Sequence, residues 1–169
     1  QNRRVFLSHQ ALMNDALGRY DDEVKTFMDL KALSPDDDGR IDFSIISAYR
    51  SAKNLDKALA YSEEALKAKP DNRRLQMVHA DIIAEKGKVD DGVRALQKMT
   101  NGSDDDLEVL SAIVNIYERA KKYDDAQTLA TTIVKRFPTQ EESYFPQGSI
   151  FQKQKKRCLR NPRFYKIRF

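Results

Sequence analysis

Residues of the types that most often carry out enzymatic chemistry are few in this sequence. Its 169 residues include two histidines, His9 and His79, and one cysteine, Cys158. Cys158 has no histidine near it in the sequence. His79 lies 34 residues from both Ile45 and Ile113, and this spacing indicates a packed core position. No glycine-rich phosphate loop, paired cysteines or zinc-ligand spacing occurs, so nothing in the sequence supports an enzyme.

Acidic residues are the other candidates for chemistry, because paired carboxylates can bind a metal ion. Each acidic group, however, falls at the start of a predicted helix, where negative charge interacts favourably with the helix dipole. We therefore interpret these groups as helix starts and predict no metal site. The groups are Asp21-Asp22-Glu23, Asp56, Asp90-Asp91 and Asp124-Asp125.

One acidic stretch resembles the middle of an EF-hand calcium loop. If Gly39 is aligned with the invariant glycine of that loop, Ser34 takes the first ligand position. Ile45 then occupies the position that requires a bidentate glutamate, and isoleucine cannot coordinate calcium. We therefore interpret the stretch as a turn between repeats that is one residue longer than the others.

The helices that would position all these residues form an internal repeat. Pro35, Pro70 and Pro138 are separated by 35 and 68 residues, which corresponds to a period close to 34 residues. The polar turn 101–104 stands where the missing proline would fall. The clearest unit, residues 48–72, reads as the end of one amphipathic helix, a tight turn, a second helix and a proline stop. A fixed period of this length is typical of a repeat array.

These units resemble the tetratricopeptide repeat (TPR). The departures are Glu23 and Gly92, which replace the usual alanine of the second helix, and the absence of tryptophan. The matching residues are Gly18, Tyr20, Phe27 and Pro35 in the first unit, Tyr49, Ala58, Ala65 and Pro70 in the second, Gly87 in the third, Tyr117, Tyr123, Ala126 and Pro138 in the fourth, and Tyr144, Gly148 and Phe151 in a partial fifth.

The resemblance implies an all-α fold, a right-handed α-solenoid of antiparallel helix pairs. We predict a repeat array over residues 1–156 and a basic tail over 157–169 that is irregular or foreign to the natural sequence. The first helix is expected over residues 3–17, with Phe6, Leu7, Ala11 and Met13 mostly inward, and residues 141–155 are expected to form a lone first helix. Because the chain begins inside an apparent helix, we interpret it as a fragment or a processed product. An array that stops after half a repeat leaves an apolar helix face uncovered, so we expect self-association. The predicted units are about 4–36, 37–72, 73–106 and 107–140, with a half unit at 141–156.

Charge and composition limit the classes of partner and the compartment. Residues 153–169 contain eight Lys or Arg and no acid, which leaves 22 basic and 26 acidic residues elsewhere, a net charge of −4. Nucleic-acid binding by the repeats is therefore disfavoured, and binding of nucleic acid through the basic end is left as a third hypothesis. No apolar run is long enough to suggest a membrane span. A single cysteine precludes an internal disulfide, so a cytoplasmic location is favoured, with a periplasmic one left open if an N-terminal signal has been removed.

The TPR resemblance implies that the first helix of each pair lines a concave groove that binds a peptide or helix of a partner protein, without a cofactor. The alternative is an accessory domain of a larger enzyme, such as a glycosyltransferase or peptidase, whose catalytic part lies outside this chain. The carboxylate clamp of chaperone-binding TPR domains is disfavoured because, of the matching positions 8, 12, 44, 74 and 78, only Arg74 is basic. The predicted partner-binding residues are Ser8, Leu12, Phe43, Ser47, Arg50, Met77, Asp81, Ser111, Asn115, Phe145 and Ser149.

Overall fold

The all-α prediction is confirmed. The computed structural model describes the backbone of residues 2–34 and 38–160 and the side chains as far as residue 152, and in that part of the chain every regular element is a helix. The helices are α1 (Asn2–Ala16), α2 (Tyr20–Ala32), α3 (Arg40–Ser51), α4 (Leu55–Ala68), α5 (Arg73–Glu85), α6 (Val89–Gln97), α7 (Asp106–Arg119), α8 (Tyr123–Arg136), a short 3₁₀ helix (Glu141–Tyr144) and α9 (Phe145–Arg160).

The turns inside the four helix pairs share one backbone design. Each has a residue with positive φ at an equivalent place, namely Gly18, Lys53, Gly87 and Lys121. The amide of the following residue donates to the carbonyl five residues earlier, as Arg19 does to Asn14 at 2.8 Å, and the bond recurs in all four turns. This is the hydrogen bond of a Schellman motif, which satisfies carbonyls that the helix end leaves without partners. The in-phase recurrence of this motif defines the repeat in the backbone.

The chain divides into two compact units, Gln1–Gly92 and Val93–Phe169, each with its own core. In the first unit, branched side chains such as Ile45, Ile46 and Ile82 pack with the small residues Ala58 and Ala65 of α4. Small residues allow neighbouring helices to approach closely. Full burial of each isoleucine contributes about 1.5–3 kcal/mol, so this apolar strip is the main source of stability of the unit.

The core of the second unit is built by α7, α8 and α9. Val114 of α7, Ile133 of α8 and Ile150 of α9 are completely buried in one cluster with Ala126 and Ala130. The alanines again lie on the second helix of a pair, as the repeat pattern predicts. Because Ile150 is part of this cluster, α9 belongs to the packed body of the unit.

The end of α9 differs from the sequence-based boundary. The predicted helix over 141–155 begins as a 3₁₀ turn, and α9 then continues to Arg160, so residues 157–160 are helical rather than irregular. Pro146 falls in the first turn of α9, where its missing amide hydrogen costs no intrahelical bond. The remainder of the predicted tail, 161–169, lies outside the described residues.

Helix α1 buries a narrower face than its composition suggests. Phe6 and Met13 were expected to point inward, but they are 65% and 63% exposed. The buried residues are Leu7, Ala11 and Asn14, whose steps of four and three place them on one stripe. Phe6 and Met13 are each offset by about 100° from a buried neighbour, so the stripe turns them away from α2.

Gly92, one of the two departures from the repeat pattern, marks a very close helix approach. A Cβ at this position would lie 2.6 Å from the carbonyl oxygen of Ala80 and 2.8 Å from the Cβ of Ala84. Real Cβ atoms essentially never make contacts that short, so α5 and α6 require glycine where the second and fourth units carry alanine.

Glu23, the other departure, is a buried carboxylic acid. Its side chain is on the packed face of α2, and its Oε2 atom accepts no hydrogen bond from any described residue. Burial, and secondarily the carboxylate of Asp15, raises the pKa of Glu23. This position therefore costs stability that an alanine would not.

Candidate protein-binding surface

A groove of about 570 Å³ lies in the second unit, between α7 on one side and the 3₁₀ helix and α9 on the other. We call it the α7–α9 groove. Four of the predicted binding residues, Ser111, Asn115, Phe145 and Ser149, line it. The structure thus brings these four together, and their role in binding stays a prediction. The remaining lining residues are Asp104, Asp105, Leu107, Glu108, Glu142 and Pro146.

Helical spacing explains why these four side chains face one space. Ser111 and Asn115 are one turn apart on α7, and Phe145 and Ser149 are one turn apart on α9, so each pair shares a helix face. The hydroxyl of Ser149 donates to the buried carboxylate of Glu118 at 3.2 Å, which ties α9 to α7. The ring of Phe145 is 69% exposed and is the largest apolar surface available to a ligand there.

The acidic character of this groove was missed by the sequence reasoning. Asp104, Asp105, Glu108 and Glu142 line it, and no lysine or arginine of the described residues does. Asp104 and Asp105 directly precede α7, where negative charge is explained well by the helix dipole, and Glu108 and Glu142 received no interpretation of their own. A signal was present in the repeat period, since Glu108 and Glu142 are 34 residues apart and therefore occupy equivalent positions.

In the first unit, the predicted residues of α3 and α5 contact each other or their neighbours. Arg50 Nη2 lies 2.9 Å from Asp81 Oδ2 and 2.6 Å from Glu85 Oε2. The ring of Phe43 is covered by the guanidinium of Arg74, whose central carbon is 3.9 Å from the ring centroid, a cation–π contact. Arg50 and Asp81 are therefore occupied in an ion-pair network, and Phe43 is half-buried rather than open. Ser47 and Met77 are also half-buried.

The two predicted residues of α1 are exposed. Leu12 is 67% exposed, and the hydroxyl of Ser8 donates to the carbonyl of Arg4 at 3.0 Å within the helix. Neither of them lines the α7–α9 groove.

His79 is half-buried and hydrogen-bonded. Its Nδ1 atom is 2.8 Å from the hydroxyl oxygen of Ser62, which itself donates to the carbonyl of Leu59 at 2.7 Å. With its single hydrogen used in this way, Ser62 accepts a bond from Nδ1–H. Burial lowers the pKa of His79, which favours the neutral imidazole. The arrangement is that of a packing residue, in line with the apolar residues at equivalent positions.

Two buried carboxylates outside the groove are fully engaged in holding the fold. Asp42, at the position after Ile41 in α3, accepts hydrogen bonds from Lys31, Lys69 and Tyr61. Asp106, at the start of α7, accepts from the amides of Asn101 and Gly102 and from Arg136. Neither set of partners can be read from the sequence, because a buried first-turn acid and a solvated one look alike there.

The stretch that resembles a calcium loop adjoins the core. Ile45, at the position that would require the bidentate glutamate, is completely buried in the first-unit cluster. Residues 35–37 of the stretch lie outside the described residues.

No described helix is long and apolar enough to cross a membrane.

Comparison with solved structures relates these helix pairs to known proteins. A tetratricopeptide repeat protein from Parabacteroides merdae superposes with a TM-score of 0.60 at 13% identity, over 93% of this chain and 62% of that protein. This chain has the tetratricopeptide repeat fold. The TPR protein MamA (MSR-1) gives a TM-score of 0.53 at 16% identity, with 97% of this chain and 94% of MamA covered.

A third structural match has the same repeat architecture. The nearly identical TPR-like repeats of a kinesin light chain sequence from Podospora anserina give a TM-score of 0.57 at 13% identity. The match covers 96% of this chain and 99% of that protein. No protein-family model and no curated protein sequence matches the chain. At these identities the likeness establishes the TPR fold, and the chain spans 62% of the length of the Parabacteroides merdae protein.

Proposed function

We propose that this TPR chain is a non-enzymatic interaction module, which binds a segment of a partner protein on the faces of the first helices. The observation that carries the proposal is the α7–α9 groove, where residues one turn apart on two helices face a common space beside an exposed aromatic ring. Exposed aromatic side chains provide large apolar contact area. The hydroxyl and amide groups of Ser111 and Asn115 can hydrogen-bond the backbone of an extended peptide.

A bulky charged substitution in the groove tests this proposal. Asn115→Arg places a long side chain in the groove from an exposed position of α7. The matched control is Thr132→Arg, at an exposed position of α8 in the same unit. Both add one positive charge to a helix, so only their location differs.

The measurement is affinity capture with the tagged chain, followed by binding assays with the purified partner. We expect Asn115→Arg to weaken the partner's affinity at least about tenfold, since it blocks the space that the partner fills, while Thr132→Arg leaves it within about twofold. Circular dichroism melting should be the same for both variants. A partner bound equally by both variants would show that the groove is not the binding surface.

The predicted residues of the first unit have their own test. We expect Phe43→Ala combined with Met77→Ala to weaken the same partner without unfolding the chain, because both side chains are only half-buried. A large fall in melting temperature would instead identify them as part of the core.

A further inference from the structure

The lining of the α7–α9 groove is partly apolar and partly acidic. Leu107, Phe145 and Pro146 are its apolar lining residues, and Asp104, Asp105, Glu108 and Glu142 are its acidic ones. We propose that the groove selects a basic, extended segment of a partner protein that carries one apolar side chain between lysines or arginines. This inference rests on the proposed function and specifies the chemistry of the partner.

The carboxylates at the two repeat-equivalent positions are available to a ligand. Glu108 and Glu142 are exposed, and within the described chain their carboxylates make no hydrogen bond or ion pair. A cation that binds them therefore breaks no existing interaction. Each such pair is weak at the surface, but several charges of one sign acting together give a salt-sensitive attraction and favour one class of partner.

The same position in the first unit carries the opposite charge. Residues 74, 108 and 142 are spaced by the repeat period, and position 74 is arginine, which covers the ring of Phe43. The equivalent of that Phe43–Arg74 pair in the second unit is Ser111 with Glu142. The acidic lining is thus a property of this groove rather than of the repeat.

The charges of the lining and the exposed ring of Phe145 disfavour several other occupants of the groove. Nucleic acid and acidic peptides would place negative charge against four carboxylates. A purely polar basic segment would leave the ring of Phe145, which is 69% exposed, in water. A segment with a single apolar side chain covers that ring while its flanking cations approach the acids.

The test uses the full chain and three labelled synthetic peptides in a fluorescence anisotropy assay. The first peptide has lysines and arginines around a central leucine, the second has glycine in place of that leucine, and the third has glutamates in place of all the basic residues. We expect the first to bind most tightly, the second several-fold more weakly and the third not at all. Raising the salt from about 0.05 M to about 0.5 M should weaken the first peptide at least about tenfold. Comparable binding of the acidic peptide would overturn the proposal.

Matched double variants locate the charge effect. Glu108→Gln with Glu142→Gln should weaken the basic peptide about fivefold, from the loss of two surface ion pairs. Asp124→Asn with Asp125→Asn changes the net charge equally at exposed positions of α8 and should stay within about twofold. Equal weakening by the two double variants would mean that peptide binding depends only on the net charge of the chain. That result would overturn the assignment of the groove as the binding site.

Phe145→Ala tests whether the ring of Phe145 contacts the leucine of the peptide. If ring and leucine are in contact, the variant and the glycine peptide weaken binding by less in combination than the product of their separate effects. Strictly multiplicative effects would place the leucine elsewhere and overturn the proposed arrangement.

Two further outcomes separate this inference from the proposed function. If a captured partner is lost in Asn115→Arg but the basic peptide does not bind, the groove is used and the stated chemistry is wrong. If sedimentation velocity shows dimers that Glu108→Gln with Glu142→Gln dissociates, the occupant is a second copy of this chain, and the proposal of a separate partner is overturned.

Discussion

Replacement of Asp42 by asparagine is the sharpest test of what holds the first unit together. The side chain of Asp42 is 1% exposed. Its Oδ1 atom lies 2.6 Å from Lys31 Nζ and 2.8 Å from the hydroxyl of Tyr61, and Oδ2 lies 2.9 Å from Lys69 Nζ. Asp42→Asn keeps the shape of the side chain but removes its charge. One carboxylate oxygen, which accepts a hydrogen bond, becomes an amide nitrogen, which is itself a donor and faces another donor.

The expected loss follows from the exposure of the partners. Removal of one member of a buried ion pair typically costs about 3–5 kcal/mol, because the remaining charge is stranded. Lys31 and Lys69 are 39% and 26% exposed, so both can regain water and the loss is reduced. We expect Asp42→Asn to lower the free energy of unfolding by about 2–4 kcal/mol, from hydrogen bonds to a charged group worth about 1.5–3 kcal/mol each. For a chain of this size that corresponds to a fall in Tm of about 5–15 °C.

The assay is urea and thermal unfolding followed by circular dichroism. Asp56→Asn is the matched control, because Asp56 is 88% exposed and its carboxylate also bonds a lysine, Lys86. The control should change the free energy of unfolding by less than about 1 kcal/mol. If Asp42→Asn costs no more than Asp56→Asn, the buried carboxylate contributes nothing beyond a surface pair, and the reasoning from burial is wrong.

Three other outcomes follow from the structure. Burial raises the pKa of Asp42, but the hydrogen bonds from its lysine and tyrosine partners outweigh this effect and hold the pKa below the ordinary value. The contribution of Asp42 to stability should therefore be complete above about pH 4 and be lost as the pH falls through the folded-state pKa. The unfolding curves of the wild type and of Asp42→Asn should then converge in acid. Gly92→Ala should destabilise the chain by about 1–3 kcal/mol because of the clash with α5. Gly148→Ala should stabilise it by up to about 1 kcal/mol, because an added Cβ there meets nothing within 4 Å. Chemical unfolding measures both changes, and equal effects of the two variants would contradict the close approach at Gly92. Lys121→Gly should stabilise by up to about 1 kcal/mol, because Lys121 has a φ of 60° that glycine adopts without strain, and an unchanged or lower unfolding midpoint would contradict this.

The helix pairs could be predicted from sequence because their signals are local. A helix ends within a few residues of each proline stop, and a helix begins directly after each predicted turn, at Tyr20, Leu55, Val89 and Tyr123. These signals recur with a period of about 34 residues. Helix α4, the second helix of the clearest unit, ends at Ala68, just before the predicted proline stop at Pro70.

What could not be predicted depends on which neighbour a side chain meets. Asp42 and Asp56 are both acids in the first turn of a helix, and only the packing of α2 and α4 around α3 makes one buried and leaves the other exposed. Phe6 was misplaced for the same reason, since an apolar residue on α1 is buried only if it lies on the stripe that meets α2. Periodicity gives the face of a helix to within about one residue, and one residue decides exposure.

The candidate site shows the same division between backbone and side chains. Equivalent links join successive first helices in both units, but their chemistry differs: Arg50 and Asp81 form an ion pair in the first unit, whereas the equivalent Glu118 accepts a hydrogen bond from the hydroxyl of Ser149 in the second. The repeat pattern does not constrain these positions, because either pair can link two successive first helices. Selection for a partner can therefore act on them independently in each unit without loss of the fold. This freedom is the physical reason why a chain can keep the TPR backbone while one groove becomes acidic, and why a partner is to be sought from the lining of that groove rather than from the repeat motif.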